Sequence, residues 1–543
     1  MASSTAAFSS SSSDSRGTQK IAAAANKTAA ESSHHHFLTQ AYDRLRQAIA
    51  AREDNNSTLP TPNQLTAAIS DLPRPSQPHF LSARGPEATL DHLHSAIIPA
   101  LNGQSLSSRY YGFVTGGVLP VAEAADNIVT ALDQNVQVHL PENHSVSTCV
   151  EDSALSMVSS LLDLNRNSGY VWSSRTFTTG ATASNMVGLA CAREAVISWR
   201  LPNNPDSKSP ADLGLLAACR AAGVSDIQIL TSMAHSSIYK AASIVGLGHD
   251  AVREVRAHSG DDEPWRLDLD AVERELATAD ESCVATIIVV NAGEVNTGRF
   301  ATQAFDMPKL RSLADRYKAW IHVDGAFGIF ARALPKTDDF LSLHANAAGL
   351  ELADSIAADG HKLLNVPYDN GIFFSRHPDI VTQVFQNPNA AYLSSSASSS
   401  SIQSPLNVGI ENSRRFRALP VYAALLSEGR EGYARMLANM VLLARNIAQF
   451  VRDSEAFEWL PSENAPLEST FMIVLFRARD PRLNNILVER INETRQIFVS
   501  GTSWKGEKAV RLAVGSWRVD VERDAAVITE VLTSIASAAS VSR

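Results

Sequence analysis

Ser355-Ile-Ala-Ala-Asp359-Gly-His361-Lys362, continued by Leu-Leu-Asn-Val-Pro367 and the apolar Gly371-Ile-Phe-Phe374, decides the reading of this 543-residue chain. A lysine set between a tight Asp-Gly turn and an apolar run is partly desolvated, which disfavours the ammonium and makes the amine a usable nucleophile for an aldehyde. Alone, the feature reads equally as a solvated charge at a strand end. It gains meaning from Ile321-His-Val-Asp324-Gly-Ala326-Phe-Gly328, where an aspartate ends an apolar strand and small residues follow. A carboxylate there is a helix cap, a metal ligand, or a group pointed into the crevice at the carboxyl ends of an α/β sheet.

A nucleophilic lysine paired with such an aspartate points to pyridoxal phosphate, whose ring nitrogen must stay protonated to act as an electron sink. The cofactor's other needs have candidates in the same chain. Phe177-Thr-Thr-Gly180-Ala181-Thr182-Ala-Ser-Asn185 is a small, hydroxyl-rich turn entering a helix from Met186 to Ala195, a place for a phosphate on backbone N–H groups. Thr231-Ser-Met-Ala-His235 follows a predicted strand and offers an imidazole for the exposed ring face. Each piece has an ordinary reading as an N-cap, a buried histidine or a capping aspartate. Their succession in the order turn, His, Asp, Lys at the ends of successive strands does not follow from those readings. Gly246, Gly248 and Ala251 spell a dinucleotide-like G-x-G-x-x-A, but they close a helical run, Ser236 to Val245, instead of opening one after a strand.

Outward from these motifs, strands are predicted at Ile227 to Thr231, Val284 to Asn291, Ala319 to Val323 and Gly371 to Ser375, with helices such as Met307 to Tyr317 between them. That alternation implies an α/β layer with a mainly parallel sheet. Upstream, Phe37 to Ala51 and Pro86 to Leu101 have helical periods, joined by a Pro-, Asn- and Ser-rich stretch from Asn55 to about Pro78. Downstream, the Ser-rich stretch Ser394 to Ser404 reads as an exposed loop. Helices at Leu419 to Leu426 and Gly432 to Phe450, strands at Thr470 to Phe476 and Ala509 to Val514, and a closing helix make a smaller α+β domain.

Composition excludes other classes. With 45% hydrophobic and 19% charged residues the chain can hold more than one packed domain. A net charge of -10 without a Lys/Arg stripe excludes nucleic acid as the main partner. Cys149, Cys191, Cys219 and Cys283 form no C-x-x-C pair, so no metal site is expected and a reducing, cytoplasmic compartment is. No apolar run reaches the ~20 residues that cross a bilayer. The Ser- and Ala-rich first 36 residues, ending in His34 to His36, read as a disordered tail or a transit peptide.

The Asp324 block, the Asp359-Gly-His361-Lys362 block and Glu411-Asn-Ser-Arg414-Arg415-Phe-Arg417-Ala-Leu-Pro420 resemble those of the group II pyridoxal-phosphate-dependent amino-acid decarboxylases, relatives of aromatic amino-acid, glutamate and diaminobutyrate decarboxylases. The resemblance runs from about Tyr42 to the C-terminus. It implies the type I, aspartate-aminotransferase-like α/β fold, and a homodimer. The parts would be a tail over 1–36, a helical segment over 37–117 packing on the partner, a large cofactor domain over 118–417 and a small α+β domain over 418–543. It makes Lys362 the Schiff-base lysine, Asp324 the partner of the pyridine nitrogen, His235 the imidazole over the ring and Ala326 the support beneath it. Gly180, Ala181, Thr182, Ser355 and Asp359 would cradle the phosphate, with His361 beside the lysine. Tyr111, Phe113 and Thr115, from Arg109-Tyr-Tyr-Gly-Phe-Val-Thr115, would line the substrate pocket. Arg414 would bind substrate or tie domains together.

One departure bears on the outcome. Aromatic amino-acid decarboxylases carry a protonating tyrosine in the mobile loop before the arginine pair, and Ser394 to Ile410 contains none. Three outcomes stay open: protonation by His235 or water to give an amine, oxidation to an aldehyde, or carbon–carbon bond formation. A non-catalytic homologue is a further reading, against which Lys362, Asp324 and His235 stand intact.

Overall fold

The computed structural model describes residues 35–53, 57–78, 80–137, 145–165, 169–202, 208–256, 263–387 and 402–541. Residues up to Leu106 form one compact unit and those from Ser107 a second. The tail up to residue 34 and most of the Ser-rich stretch 394–404 lie outside the described residues.

The first unit is helical. A helix over 35–53 takes in His35 and His36, which the sequence reading assigned to the tail. The Pro-, Asn- and Ser-rich stretch, for which no helix was read, holds a ten-residue helix, Pro62–Asp71. Its cause is a capping box: the Thr61 hydroxyl accepts from Gln64 N at 3.2 Å, Gln64 Oε1 accepts from Thr61 N at 2.8 Å, and Pro62 opens the first turn. Residues 86–100 are helical as expected.

In the second unit a seven-stranded sheet has the order β1-β7-β6-β5-β4-β2-β3. The strands are β1 (Ser174–Thr178), β2 (Asp226–Thr231), β3 (Val252–Glu254), β4 (Val284–Asn291), β5 (Trp320–Asp324), β6 (Ser355–Asp359) and β7 (Gly371–Ser375). Only β7 runs against the rest, pairing antiparallel with both β6 and β1. The mainly parallel α/β layer is thus as read. β4 shows why its sequence is almost wholly apolar: Ile287 and Val289 enter the core on one face with Leu189 and Ile238, while Ile288 and Val290 enter the core on the other. Fully burying each such side chain contributes about 1.5–3 kcal/mol.

Helix α1 (Ala181–Ser198) follows β1, α2 (Ser236–Ile244) follows β2, and the single turn α3 (Gly360–Leu363) follows β6. The long α4 (Ala418–Asp453) replaces two predicted helices, with the break surviving as a kink at Gly429, φ 58°. Beyond it, a four-stranded antiparallel sheet in the order β10-β11-β9-β8 is built from β8 (Phe457–Leu460), β9 (Ile473–Ala478), β10 (Ser500–Trp504) and β11 (Glu507–Ala513), and the chain closes with α5 (Val521–Val541). β8 and β10 were not foreseen.

Candidate active site

The carboxyl ends of β1, β2, β5 and β6 lie along one edge of the sheet, and the chain leaves each through a residue singled out above. β6 ends in Asp359, and α3 immediately presents Lys362, whose Nζ lies 2.9 Å from Asp359 Oδ2 and 5.7 Å from the centroid of the Phe327 ring. Asp359 Oδ1 accepts from Ala181 N, at the start of α1, at 2.5 Å. The turn carrying the lysine is held by Asn365 in the left-handed conformation, φ 53°. Its amide donates to the carbonyls of Lys362 (3.4 Å), Leu363 (3.3 Å) and Gly515 (3.3 Å), and its Oδ1 accepts from Trp517 N at 2.8 Å. Gly116 passes against this turn so closely that a β-carbon there would overlap the Lys362 carbonyl.

β5 ends in Asp324, whose Oδ2 accepts from Asn185 Nδ2 at 3.0 Å and whose Oδ1 accepts from Ala326 N at 3.3 Å. The Ala326 carbonyl in turn accepts from Asp359 N at 3.1 Å, tying the Asp324 and Lys362 blocks together. Past β2, His235 caps α2: its Nδ1 accepts from Ser237 N at 3.2 Å and pairs with Ser237 Oγ at 2.8 Å. Nδ1 is therefore an acceptor, and a neutral His235 carries its proton on Nε2. Burial is the largest influence on His235 and lowers its pKa; Asp324 opposes it, and Lys362 and Arg511 add to it. His235 is thus in electrostatic reach of all three. His361 is also lowered by burial; its Nδ1 accepts from Asn370 N at 3.3 Å and its Nε2 faces Asp359 Oδ1 at 3.7 Å.

Four of the residues named from the sequence stand elsewhere or act differently. Ser355 is fully buried at the far, amino-terminal end of β6, where its Oγ accepts from Trp320 Nε1 at 2.9 Å and meets His322 Nδ1 at 2.8 Å, so it is not in the phosphate cradle. Asp359 does reach the start of α1 but, when ionised, has only acceptors and cannot donate to a phosphate. Tyr111 is fully buried in the main core, because Tyr111 N and O pair with Phe498 O and Ala513 N and turn its ring inward. Arg414 is not open to substrate: its guanidinium grips Glu151 with two bonds, Nη1 to Oε2 at 2.9 Å and Nη2 to Oε1. Thr115 is buried, whereas Phe113 is 55% exposed.

Two groups were missed. Asn185 was quoted only as the end of a turn. Arg511, on β11, is buried with Nε on the Val295 carbonyl at 2.6 Å and Nη1 on the Gly112 carbonyl at 3.0 Å, and among the described residues it forms no ion pair. Burial pulls it down to about 10, which still leaves it charged at neutral pH. Its signal was legible: an arginine amid Ala509-Val-Arg-Leu-Ala513 is expensive to bury unless something uses it.

Residues 124–479 match the family model described as the pyridoxal-dependent decarboxylase conserved domain. The chain belongs to the pyridoxal-dependent decarboxylase family. L-2,4-diaminobutyrate decarboxylase of Acinetobacter baumannii is 29% identical over 307 residues, covering 55% of this chain and 55% of that protein. Phenylacetaldehyde synthase of Arabidopsis thaliana is 24% identical over 294 residues, 52% of this chain and 56% of that one. The matches thus span just over half of either relative. The fold is that of Catharanthus roseus tryptophan decarboxylase, solved in complex with L-tryptophan, with a TM-score of 0.73 at 19% identity over 93% of this chain and 98% of that one. Pyridoxal phosphate is the cofactor of this decarboxylase family, and relatives named amino-acid decarboxylases are carboxy-lyases. The residues fit that cofactor: the Gly180 turn opens α1 with no cap from a Gly180 side chain, and although Ala181 N is taken by Asp359 the following first-turn N–H groups face a phosphate, while Asp324 presents acceptors for a protonated ring nitrogen. No helix among the described residues is long and apolar enough to cross a membrane.

Proposed function

We propose that the chain removes carbon dioxide from an L-α-amino acid with pyridoxal phosphate and releases the amine. The observation that carries this reading is the gathering of an amine, a carboxylate held by neutral donors and an imidazole at one edge of the sheet, Lys362, Asp324 and His235, with the guanidinium of Arg511, which forms no ion pair among the described residues, in electrostatic reach of His235.

When bound, the cofactor supplies an aldehyde carbon that bonds amines and a cationic ring that takes up the electron pair freed at the α-carbon. Lys362 provides the anchoring amine, and its contact with Asp359 fixes where that amine waits. Asp324 holds a proton on the ring nitrogen. Gly180, Ala181 and Thr182 hold the phosphate at the start of α1, with the His361 Nε2 proton close by. Ala326 and His235 would hold the ring. With Nδ1 engaged by Ser237, His235 keeps a proton on Nε2, the proton that replaces carbon dioxide. Arg511 receives the substrate carboxylate through a paired hydrogen bond, a role Arg414 cannot fill. Phe113 and Thr115 flank the way in. The same reading carries a homodimer with residues 37–117 packed on the partner, 118–417 holding the cofactor and 418–543 as the small domain. A cytoplasmic site accords with the four unpaired cysteines.

A second reading, oxidative conversion to an aldehyde, is favoured by the tyrosine-free segment 394–410 and by the relative named phenylacetaldehyde synthase. Incubation of cofactor-loaded protein with a panel of L-amino acids, with and without oxygen, separates the two by mass spectrometry of the products. Equal amine in both atmospheres is the expected result. Oxygen-dependent aldehyde selects the second reading, and absence of either product from protein whose absorbance shows bound cofactor defeats both.

A further inference from the structure

We infer that Asn185 is a positioning residue that holds the Asp324 carboxylate in place as an acceptor for the ring nitrogen, standing at the head of a one-way hydrogen-bond chain that runs from Trp320 through Ser355 and His322. The inference rests on the reading of Asp324 as partner of the ring nitrogen.

The direction of every bond follows from Asp324. An ionised carboxylate only accepts, so Asn185 must turn its NH2 toward Asp324 Oδ2, 3.0 Å away, and its carbonyl toward His322 Nε2, 2.9 Å away. A carbonyl only accepts, so His322 carries its proton on Nε2. Burial holds His322 at about 3, so the ring is neutral and Nδ1 is bare. Nδ1 then takes the hydroxyl proton of Ser355, whose oxygen takes the indole N–H of Trp320. The second amide hydrogen of Asn185 goes to Ser237 Oγ at 3.0 Å, which frees the Ser237 proton for His235 Nδ1. Flipping the amide would set two oxygens 3.0 Å apart at Asp324 and leave the Ser355 proton without an acceptor. One amide thereby serves both groups assigned to the ring, directly at Asp324 and through Ser237 at His235.

The backbone brings these groups together by its own periods. Trp320, His322 and Asp324 alternate along β5 and share its face. Ser355 is the register partner of His322 on β6. Asn185 and Gly188 are three apart on α1 and face the same way, and a β-carbon at Gly188 would overlap the His322 ring. Trp320, His322, Ser355 and Asn185 are fully buried, where such chains polarise one another most strongly. The chain lends Asp324 donors without lending it positive charge, so the carboxylate is stabilised but not neutralised.

The test uses nitrogen NMR of the full chain. In cofactor-free, histidine-labelled protein, with signals assigned by His235→Asn and His322→Asn, both rings are expected to show a protonated Nε2 and a bare Nδ1. In protein loaded with ring-labelled pyridoxal phosphate, the ring nitrogen is expected to be protonated in the unchanged chain and in Ser237→Ala, and to lose that signal in Asn185→Leu. A bare ring nitrogen in the unchanged chain defeats the Asp324 reading itself. A protonated one that survives Asn185→Leu, or that Ser237→Ala disturbs equally, overturns the inference alone. So does a His322 proton found on Nδ1, a result read in the unchanged chain that stands even if Asn185→Leu fails to fold.

Discussion

Asp324 and Asp354 are both buried aspartates beside the same sheet, yet one is surrounded by dipoles and the other by charge. Asp354, at the amino end of β6, accepts from Arg311 at 2.9 Å, Arg376 Nε at 3.0 Å, His377 Nε2 at 2.9 Å and Ile321 N at 2.8 Å. Those partners hold its carboxyl well below the usual carboxylate range against the opposing effect of burial. Asp324, at the carboxyl end of β5, is hydrogen-bonded among the described residues by an amide and a backbone N–H. Arg414 and Arg511 repeat the contrast, the first closed by Glu151 and the second, among the described residues, held by carbonyls and a hydroxyl without an ion pair. A charge neutralised inside the protein welds elements together; one that is merely solvated by neutral groups keeps its attraction for a ligand of opposite sign.

The sharpest way to break that comparison is to neutralise each aspartate in turn. Asp354→Asn leaves Arg311 and Arg376 under-compensated and is expected to cost about 3–5 kcal/mol in urea unfolding, with kcat per folded molecule unchanged. Asp324→Asn is expected to lower kcat by about 10²–10³-fold with little change in the unfolding midpoint. Equal effects on stability would erase the distinction. For the arginines, Arg511→Gln should raise KM by about 10–100-fold, the worth of a hydrogen bond to a charged group, whereas Arg414→Gln should lower the unfolding midpoint and leave KM alone.

A smaller effect sharpens the comparison through pH. His322 is depressed by burial to about 3, so the folded state binds fewer protons than the unfolded chain, in which an ordinary histidine titrates near ~6.5. Its stabilising contribution is complete above the unfolded value and is lost as pH falls from there toward about 3. His235 and His361, also lowered, add to the same slope. The Asp354 cluster, depressed from an ordinary carboxylate, gives way only below ~4. Urea melts between neutral pH and that point should show a stability loss that His322→Asn reduces by about one proton's worth, ~1.4 kcal/mol per pH unit, and that Asp354→Asn leaves in place.

The parts of this site legible in the sequence were those written locally. A strand that stops at an aspartate followed by Gly-Ala, and a lysine behind Asp-Gly, declare themselves because turn chemistry is a property of neighbours. What failed was direction. Ser355 and Asp359 lie on one short strand, but one opens it and the other ends it, and only the second reaches the crevice. Tyr111 and Phe113 are two residues apart, yet pairing with residues 498 and 513 turns one inward and leaves the other exposed. Arg414 and Arg511 differ only in whether a distant glutamate meets them, which no local pattern records. The helix Pro62–Asp71 was a different kind of miss: Thr61-Pro-Asn-Gln64 is a legible capping signal, outweighed by the Pro- and Ser-rich composition around it.

Asn365 has a mechanical side. Because its amide donates to the carbonyls of both Lys362 and Gly515 while its oxygen takes Trp517 N, the turn bearing Lys362 and the strand exit after β11 are tied to one side chain. A tilt of the four-stranded sheet would therefore pull on the turn of Lys362 through a single side chain, which makes Asn365 the coupling between the two.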